Sequence, residues 1–246
     1  EQNSRRRATE DDVLKAAEAQ IEASFLPERD AAIVVGSEAW HPGVVGIVAS
    51  RVLKRFHRPT IVIGFDEAGT GKGSCRSIAG LCMVTALRDC SEHLVKFGGH
   101  EMAAGLTLSK DRFTAFREGF LAAAARKLTR EQLTPLVRMD SELPFREIRP
   151  EILEYLTALE PFGIGNVRPI FFARRVSPAD TPRVLKERHL QLWLEQDGVR
   201  RKAIWFGVGK NELPAAPWDI AFELSRNEYL GVVQVQIQVV SMRSSA

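Results

Sequence analysis

The feature that most constrains how this chain folds is a change of texture at Pro161. Before it, helical spacings alternate with short β-branched runs. After it, only short strand-like runs remain. Val13, Ala17 and Ile21 recur at i, i+4 and i+8 behind Thr9 and Asp12, a capping-box variant with Asp in place of Glu or Gln, and predict a helix. Ala31–Val35 reads as a buried strand closed by Gly36, Val44–Phe56 as a helix, and Thr60–Phe65 as a second strand. A glycine-rich connection then leads to Ser74–Ile78, a short helix around Met83–Asp89, a strand over Ala103–Leu108 and a helix over Asp111–Leu128. Such alternation predicts an α/β sandwich. A further helix, from about Ile148 to Leu159, closes at Pro161. The runs that follow are Ile170–Val176, His189–Glu195, Arg201–Phe206, Trp218–Leu224 and Val232–Val240. Turn residues at Asp197-Gly198, Pro214 to Pro217 and Leu230-Gly231 separate the later ones. Five short strands fit a small, partly open all-β barrel, and the OB-fold is the commonest of these that binds nucleic acid.

Four segments carry chemistry. Lys96-Phe97-Gly98-Gly99-His100 leads a cation and two glycines into an imidazole before the small-residue strand. Paired glycines let a backbone approach a ligand without a Cβ in the way, and His100 can sit at a phosphate-sized opening of N–H groups. The same residues also fit a tight turn with His100 as a core hydrogen-bonder. In Gly71-Lys72-Gly73-Ser74-Cys75-Arg76-Ser77, strand alternation puts Ser74 and Arg76 on one face, where a guanidinium flanked by Ser74 and Ser77 makes a bidentate phosphate clamp. A surface salt bridge is the alternative for Arg76. Gly69 to Gly73 fails as a P-loop, because Asp66 holds the first glycine position and Gly73 follows the lysine, so it reads as a flexible hairpin. His41, in Trp40-His41-Pro42-Gly43, either touches a nucleotide or caps the helix that follows, whose N-terminal N–H groups it leaves open. Arg51 is structural, and His57 and His93 are surface histidines. The fourth segment is Pro161-Phe162-Gly163-Ile164-Gly165-Asn166.

Between Arg174 and Lys210 nine Lys or Arg face four Asp or Glu, a balance of 9 − 4 = +5 in a chain of net charge +3. Lys186, Arg188, His189, Arg200, Arg201 and Lys202 alternate there with Leu190, Leu192, Trp193, Trp205 and Phe206. Cations that track a phosphate backbone, with aromatic faces for stacking, describe a groove for a single strand. Trp193 and Trp205 individually fit either the core or a stacking platform. Cys75, Cys82 and Cys90 are odd in number and form no C-x-x-C, which argues against a disulfide scaffold or a zinc site and for a reducing cytoplasm. No apolar stretch reaches the roughly 18 residues of a membrane span.

Taken together and in order, the four segments resemble the C-terminal half of the RecJ-type exonucleases. These are DHH-superfamily phosphoesterases that degrade single-stranded DNA 5′→3′, and the matching part is their DHHA1 domain followed by an OB-fold. The likeness runs from about Ala31 to the end, and the Pro-Phe-Gly-x-Gly-Asn segment with the β-rich tail points to the exonuclease branch. The resemblance implies a DHHA1-like mixed sheet at residues 29–145, a linker at 146–169 and an OB-fold at 170–246. Residues 1–28 would be a helix connecting to an N-terminal catalytic domain. That domain's Asp-His-His motif does not occur in this sequence, so we read the chain, which starts at Glu1, as a fragment that is itself inactive. By resemblance, manganese or magnesium serves the full-length enzyme and no metal binds this chain. Arg76 and His100 act on the phosphate as catalytic groups, and His41, Ser74, Ser77, Gly98 and Gly99 hold substrate, with Lys186, Arg188, His189, Trp193, Arg200, Arg201 and Lys202 along the barrel. Single-stranded DNA is the expected partner, in repair and recombination, with single-strand-binding protein as a second candidate and no membrane. The competing reading is a non-enzymatic module that binds single-stranded nucleic acid or a replication protein.

Overall fold

The computed structural model describes residues 2–163, 165–186, 189–208, 213–229 and 231–245. The chain divides into two compact units, residues 1–135 and 136–246. The first contains α1 (Gln2–Glu22), β1 (Ile33–Ser37), α2 (Val45–Phe56), β2 (Thr60–Phe65), β3 (Thr70–Arg76), α3 (Met83–Arg88), β4 (Lys96–Gly99), β5 (Ala103–Ser109) and α4 (Phe113–Lys127). The sheet is mixed, in the order β1-β2-β3-β5-β4, with β1 parallel to β2 and all other pairs antiparallel.

Helices cover the two faces unequally, and this positions the site. On one face α3 and α4 bury Met83, Leu87, Phe116 and Phe120 against Ile61, Ile63, Cys75, Leu106 and Leu108. On the other, α1 and α2 bury Val13, Ala17, Ile21, Val45, Val48 and Val52 against Ile33, Val35 and Val62. Each large apolar side chain so buried contributes about 1.5–3 kcal/mol. The second layer rests on β1 and β2. Lys72, Gly105, Lys96 and Gly98, farther across the same face, stay exposed. At the β1 edge, Arg117 Nε donates to Val34 O (3.2 Å) and Gln20 Nε2 to Gly36 O (3.5 Å), so side chains occupy carbonyls that would otherwise invite another strand.

The structure corrects several expectations. The first helix begins at Gln2, so Thr9 lies inside it and does not cap it. Gly71 and Gly73 belong to β3, not to a flexible hairpin. Both face the core, where a Cβ on Gly71 would stand 2.6 Å from Phe65 and one on Gly73 2.8 Å from Leu106. Their glycines serve close packing. Lys96–Gly99 is an edge strand rather than a turn.

The second unit contains β6 (Ser141–Glu142), a 3₁₀ turn at Phe145–Glu147, α5 (Ile152–Ala158), β7 (Phe171–Pro178), β8 (Arg183–Leu185), β9 (His189–Gln196), β10 (Val199–Phe206), β11 (Trp218–Tyr229) and β12 (Val232–Ser244). The strand order is β6-β7-β11-β12-β10-β9-β8, and a short ladder from β7 to β9 (Ser177↔Glu195, Pro178↔Leu194) joins the two halves of that order. Phe145, expected at the end of the DHHA1-like domain, and Ile148 and Leu156, from the segment expected as a linker, pack into this unit's core with Ala173, Leu192, Leu194, Trp218, Phe222 and Ile237. The helix expected over Ile148–Leu159 is shorter, because Arg149-Pro150 favours a fresh start and α5 spans Ile152–Ala158. Asn166 explains the linker motif's last residue: its Nδ2 donates to Leu159 O (2.8 Å) and Pro161 O (2.9 Å), satisfying carbonyls past the end of α5. Ile164 of the same motif lies outside the described residues.

Candidate nucleic-acid interface

Antiparallel register arranges the uncovered half of the first sheet in rungs. Arg76 pairs with Ala103, and the His100 N–H donates to Ala103 O (2.8 Å), so Arg76 and His100 flank one small residue. The next rung on that face is Ser74–Gly105–Gly98, and the one after it Lys72–Thr107–Lys96. Residues paired across antiparallel strands share a face, and strands lie about 4.8 Å apart. The outer members of each rung therefore stand about 10 Å apart across β5.

Arg76 is pinned from two sides. Its Nε donates to Ser50 Oγ on α2 (3.0 Å), and its Nη1 to Ser74 Oγ and Cys75 O (both 2.9 Å). Gly46 of α2 leaves the guanidinium room, since a Cβ there would stand 3.5 Å from Nη2 and 3.3 Å from Ser74 Oγ. Ser50 passes its own proton to Gly46 O (3.1 Å), whereas the Ser74 proton has no acceptor among the described residues. Nor does any carboxylate there come within ion-pair distance of Arg76, so the salt-bridge alternative is not formed. A held guanidinium with an adjacent hydroxyl proton suits an anion with several oxygens.

His100 is exposed at the β4–β5 turn. Gly99 enters that turn at φ +150, where a Cβ would lie 2.5 Å from Ala103 O and Ala104 Cα, so no other residue fits without a shift. Gly98 differs, because a Cβ there would meet nothing within 4 Å. Its bare backbone is not demanded by packing within the chain. Two backbone bonds hold the turn: Ser77 N–H to Met102 O (2.9 Å) and Met83 N–H to Glu101 O (2.8 Å). Ser77 is here corrected from a substrate contact to a support, since it is 4% exposed and its hydroxyl donates to Leu81 O (2.7 Å). His41 Nδ1 accepts from the Gly43 N–H (3.0 Å), closing the approach to α2. It lines an open depression of about 620 Å³ with Glu38, Asp66 and Glu67. That acidic setting disfavours phosphate, and of its two expected roles His41 fits the structural one.

In the second unit β9 and β10 present His189, Gln191, Trp193 and Glu195 opposite Phe206, Ile204, Lys202 and Arg200. Trp193 is 43% and Phe206 51% exposed, and His189 meets Phe206 edge-on at 5.1 Å. Trp193 with Lys202 thus supplies a stacking face beside a cation. Trp205 packs against the core. Arg200 pairs with Glu195 (2.9 Å), and Lys186 is exposed. Arg201 is corrected: it points to the core side, where its Nη2 donates to Phe145 O (3.0 Å) and Ile148 O (2.8 Å) and is not offered to a ligand. Period-2 counting from buried Ala203 carries that signal. Arg188 lies outside the described residues. Sequence reasoning missed Ser50, Gly46, Lys72 and Lys96 in the first unit, and Arg183, which β8 brings beside Gln191. Sheet register reveals the lysines and Arg183, and the packing of α2 on the sheet brings in Ser50 and Gly46.

The cysteines are free, and burial pushes the Cys75 thiol up to about 12. Among the described residues no three His, Cys, Asp or Glu side chains come together to hold a metal ion, so this donor set does not fit a divalent-metal centre. No described helix is long and apolar enough to cross a membrane.

The family model of the DHHA1 domain matches residues 29–126, and that of the RecJ OB domain residues 139–241. The single-stranded-DNA-specific exonuclease RecJ of Dickeya dadantii is 40% identical over 216 residues, which is 81% of this chain and 36% of that protein. The RecJ of Thermus thermophilus is 34% identical over 98% of this chain and 33% of its own length. A crystal structure of the Thermus thermophilus RecJ in complex with Mg2+ superposes with a TM-score of 0.78 at 29% identity, covering 99% of this chain and 36% of that one. This chain thus spans about a third of the length of these relatives. With a DHHA1 domain followed by a RecJ OB domain, at these levels of identity and in this order, the chain belongs to the RecJ family.

Proposed function

We propose that this chain is the strand-gripping portion of a metal-dependent 5′→3′ single-stranded-DNA exonuclease that serves DNA repair and recombination. One observation carries the reading: the pinned guanidinium of Arg76, with no carboxylate partner among the described residues, stands opposite His100 beside a bare glycine rung. Arg76 and the Ser74 hydroxyl donate to the phosphate at the 5′ end of the strand, and His100 approaches it from the β4–β5 turn. Exposed Gly98 and Gly105 let the sugar-phosphate backbone lie against the sheet. In the second unit, bases of a single strand stack on Trp193 while Lys202, Lys186 and Arg183 neutralise phosphates, a sequence-tolerant mode. Divalent ions would supply the activated water in the full-length enzyme. Among the described residues the donor set does not assemble their site, and the part proposed for this chain is binding and charge stabilisation. Docking of single-strand-binding protein rests on the family resemblance, and a pull-down with that protein tests it.

The experiment is turnover by the full-length protein that carries this chain. Arg76→Ala and His100→Ala each lower kcat/KM by about 10²–10³, the usual cost of removing a donor to transition-state charge, with fold and metal content unchanged. The 246-residue chain alone, supplied with manganese or magnesium, degrades no single-stranded DNA. Near-normal kcat/KM in both variants, or robust turnover by the chain alone, overturns the proposal.

A further inference from the structure

We propose that Lys72 and Lys96 form a second phosphate grip, two pleats along the sheet from Arg76, for an internucleotide phosphate of the same strand. The inference rests on the phosphate-binding reading of Arg76 and extends it from one terminal group to a track of several nucleotides. Lys72 and Lys96 both pair with Thr107, from β3 and β4, and so project on one face with Thr107 between them. Both are exposed, and among the described residues neither has a carboxylate within ion-pair distance. Lys110 and Lys127, by contrast, pair with Glu38 and Asp89. Their strands stand about 10 Å apart on either side of Thr107, a span that two lysine side chains can bridge to a single anion.

Spacing identifies the ligand as a polymer. Lys72 lies four residues from Arg76, which at about 3.3 Å per residue is about 13 Å. That is farther than one phosphodiester repeat stretches, so the second grip meets a phosphate downstream of the first. Between the two lies Ser74–Gly105–Gly98, whose glycines raise no side chain in the strand's path. β4 is the edge strand, so no further strand walls the track on that side. Nothing along the track reads a base. The arrangement fits any single-stranded phosphodiester, and it predicts an affinity that grows with strand length.

The test titrates the 246-residue chain with thymidine 5′-monophosphate and with 5′-phosphorylated thymidine di-, tri- and tetranucleotides. Binding is read by calorimetry and by the NMR signals of Gly98, Gly105 and Thr107. The nucleotide monophosphate should shift Gly98 and Gly105, and Thr107 should respond once the oligonucleotide spans both grips. Lys72→Ala/Lys96→Ala should leave the monophosphate affinity unchanged and weaken the tetranucleotide about fivefold. It should also flatten the salt slope by about 0.7, the worth of one neutralised phosphate. Lys72→Arg/Lys96→Arg should restore both, and the charge-matched Lys15→Ala/Lys54→Ala should change neither. Loss of tetranucleotide affinity no greater than in that control, or equal loss for the monophosphate, overturns the second grip. If Arg76→Ala is silent while the lysine pair still costs tetranucleotide affinity, the terminal-phosphate reading fails and the lysine grip stands. The Thr107 signal keeps contributions from the other unit from counting.

Discussion

Arg201→Ala separates a fold role from a DNA role at two adjacent residues. The substitution removes one guanidinium shared by two carbonyls: Nη2 donates to Phe145 O (3.0 Å) and Ile148 O (2.8 Å), and Nε lies 3.4 Å from Phe145 O. Phe145 and Ile148 are buried, so water replaces those bonds poorly. A hydrogen bond to a charged group contributes about 1.5–3 kcal/mol. Two of them, discounted for partial exposure of the guanidinium, set the expected loss at about 2–4 kcal/mol. For a unit of this size, at roughly 4 °C per kcal/mol, melting should fall by about 8–16 °C. Arg201→Lys should recover at most about half of that, since the lysine ammonium ends short of the Nη2 position and is more strongly hydrated than a guanidinium. Lys202→Ala, whose side chain faces outward beside Trp193, should stay within about 0.5 kcal/mol of wild type and weaken single-strand binding. Differential scanning calorimetry and fluorescence anisotropy on the same samples read both effects. The inward assignment is refuted if Arg201→Ala melts with wild type and loses DNA affinity as Lys202→Ala does.

Three further outcomes follow from the first unit. Arg58 is buried and donates to four carbonyls, of Pro27 (2.9 Å), Asp30 (2.9 Å), His57 (3.0 Å) and Leu133 (2.7 Å), while burial pulls its pKa down. Arg58→Met strands these acceptors at about 1–3 kcal/mol for each that stays dry, so urea unfolding should show a loss of at least about 3 kcal/mol, and a loss below about 1 would contradict the hub. The Arg29 hydrogen bond holds the Asp30 carboxyl below its ordinary 3.8. A depressed carboxylate stabilises above its unfolded pKa and loses that contribution as pH falls through the folded one, so wild type and Asp30→Asn should differ in melting at pH 6 and converge below pH 3.8. Gly99→Ala, at φ +150 with a Cβ 2.5 Å from backbone, should destabilise by about 2 kcal/mol or more, whereas Gly98→Ala, with open space, should melt as wild type and still weaken single-strand binding.

Much of this was legible because burial imposes period. Thr60–Phe65 is a fully buried strand, and the spacing of Val13, Ala17 and Ile21 marks the buried face of α1. Local signals misled where tertiary packing overrode them. Gly71 and Gly73 look like hinge residues, yet a strand needs them against Phe65 and Leu106. The run Arg200-Arg201-Lys202 looks uniformly available, yet strand alternation turns its middle member inward. Residue type singles out Arg76, Ser74 and His100, but Ser50 and Gly46 come to Arg76 from a helix 26 and 30 residues earlier. Lys72 and Lys96 are 24 residues apart, and only the pairing of both with Thr107 brings them onto one rung. Such relations live in sheet register, which no local pattern encodes.

The central claim is that the Arg76 rung holds the phosphate at the 5′ end of a single strand, and a two-by-two binding measurement tests it most directly. Wild type and Arg76→Ala are each titrated with the same thymidine oligonucleotide bearing a 5′-phosphate or a 5′-hydroxyl, with melting recorded alongside. Wild type should prefer the phosphorylated strand by about tenfold, the worth of one charge-assisted clamp. Arg76→Ala should bind both alike and melt normally. Equal binding of the two strands by wild type, or a phosphate preference that survives Arg76→Ala, would contradict the account.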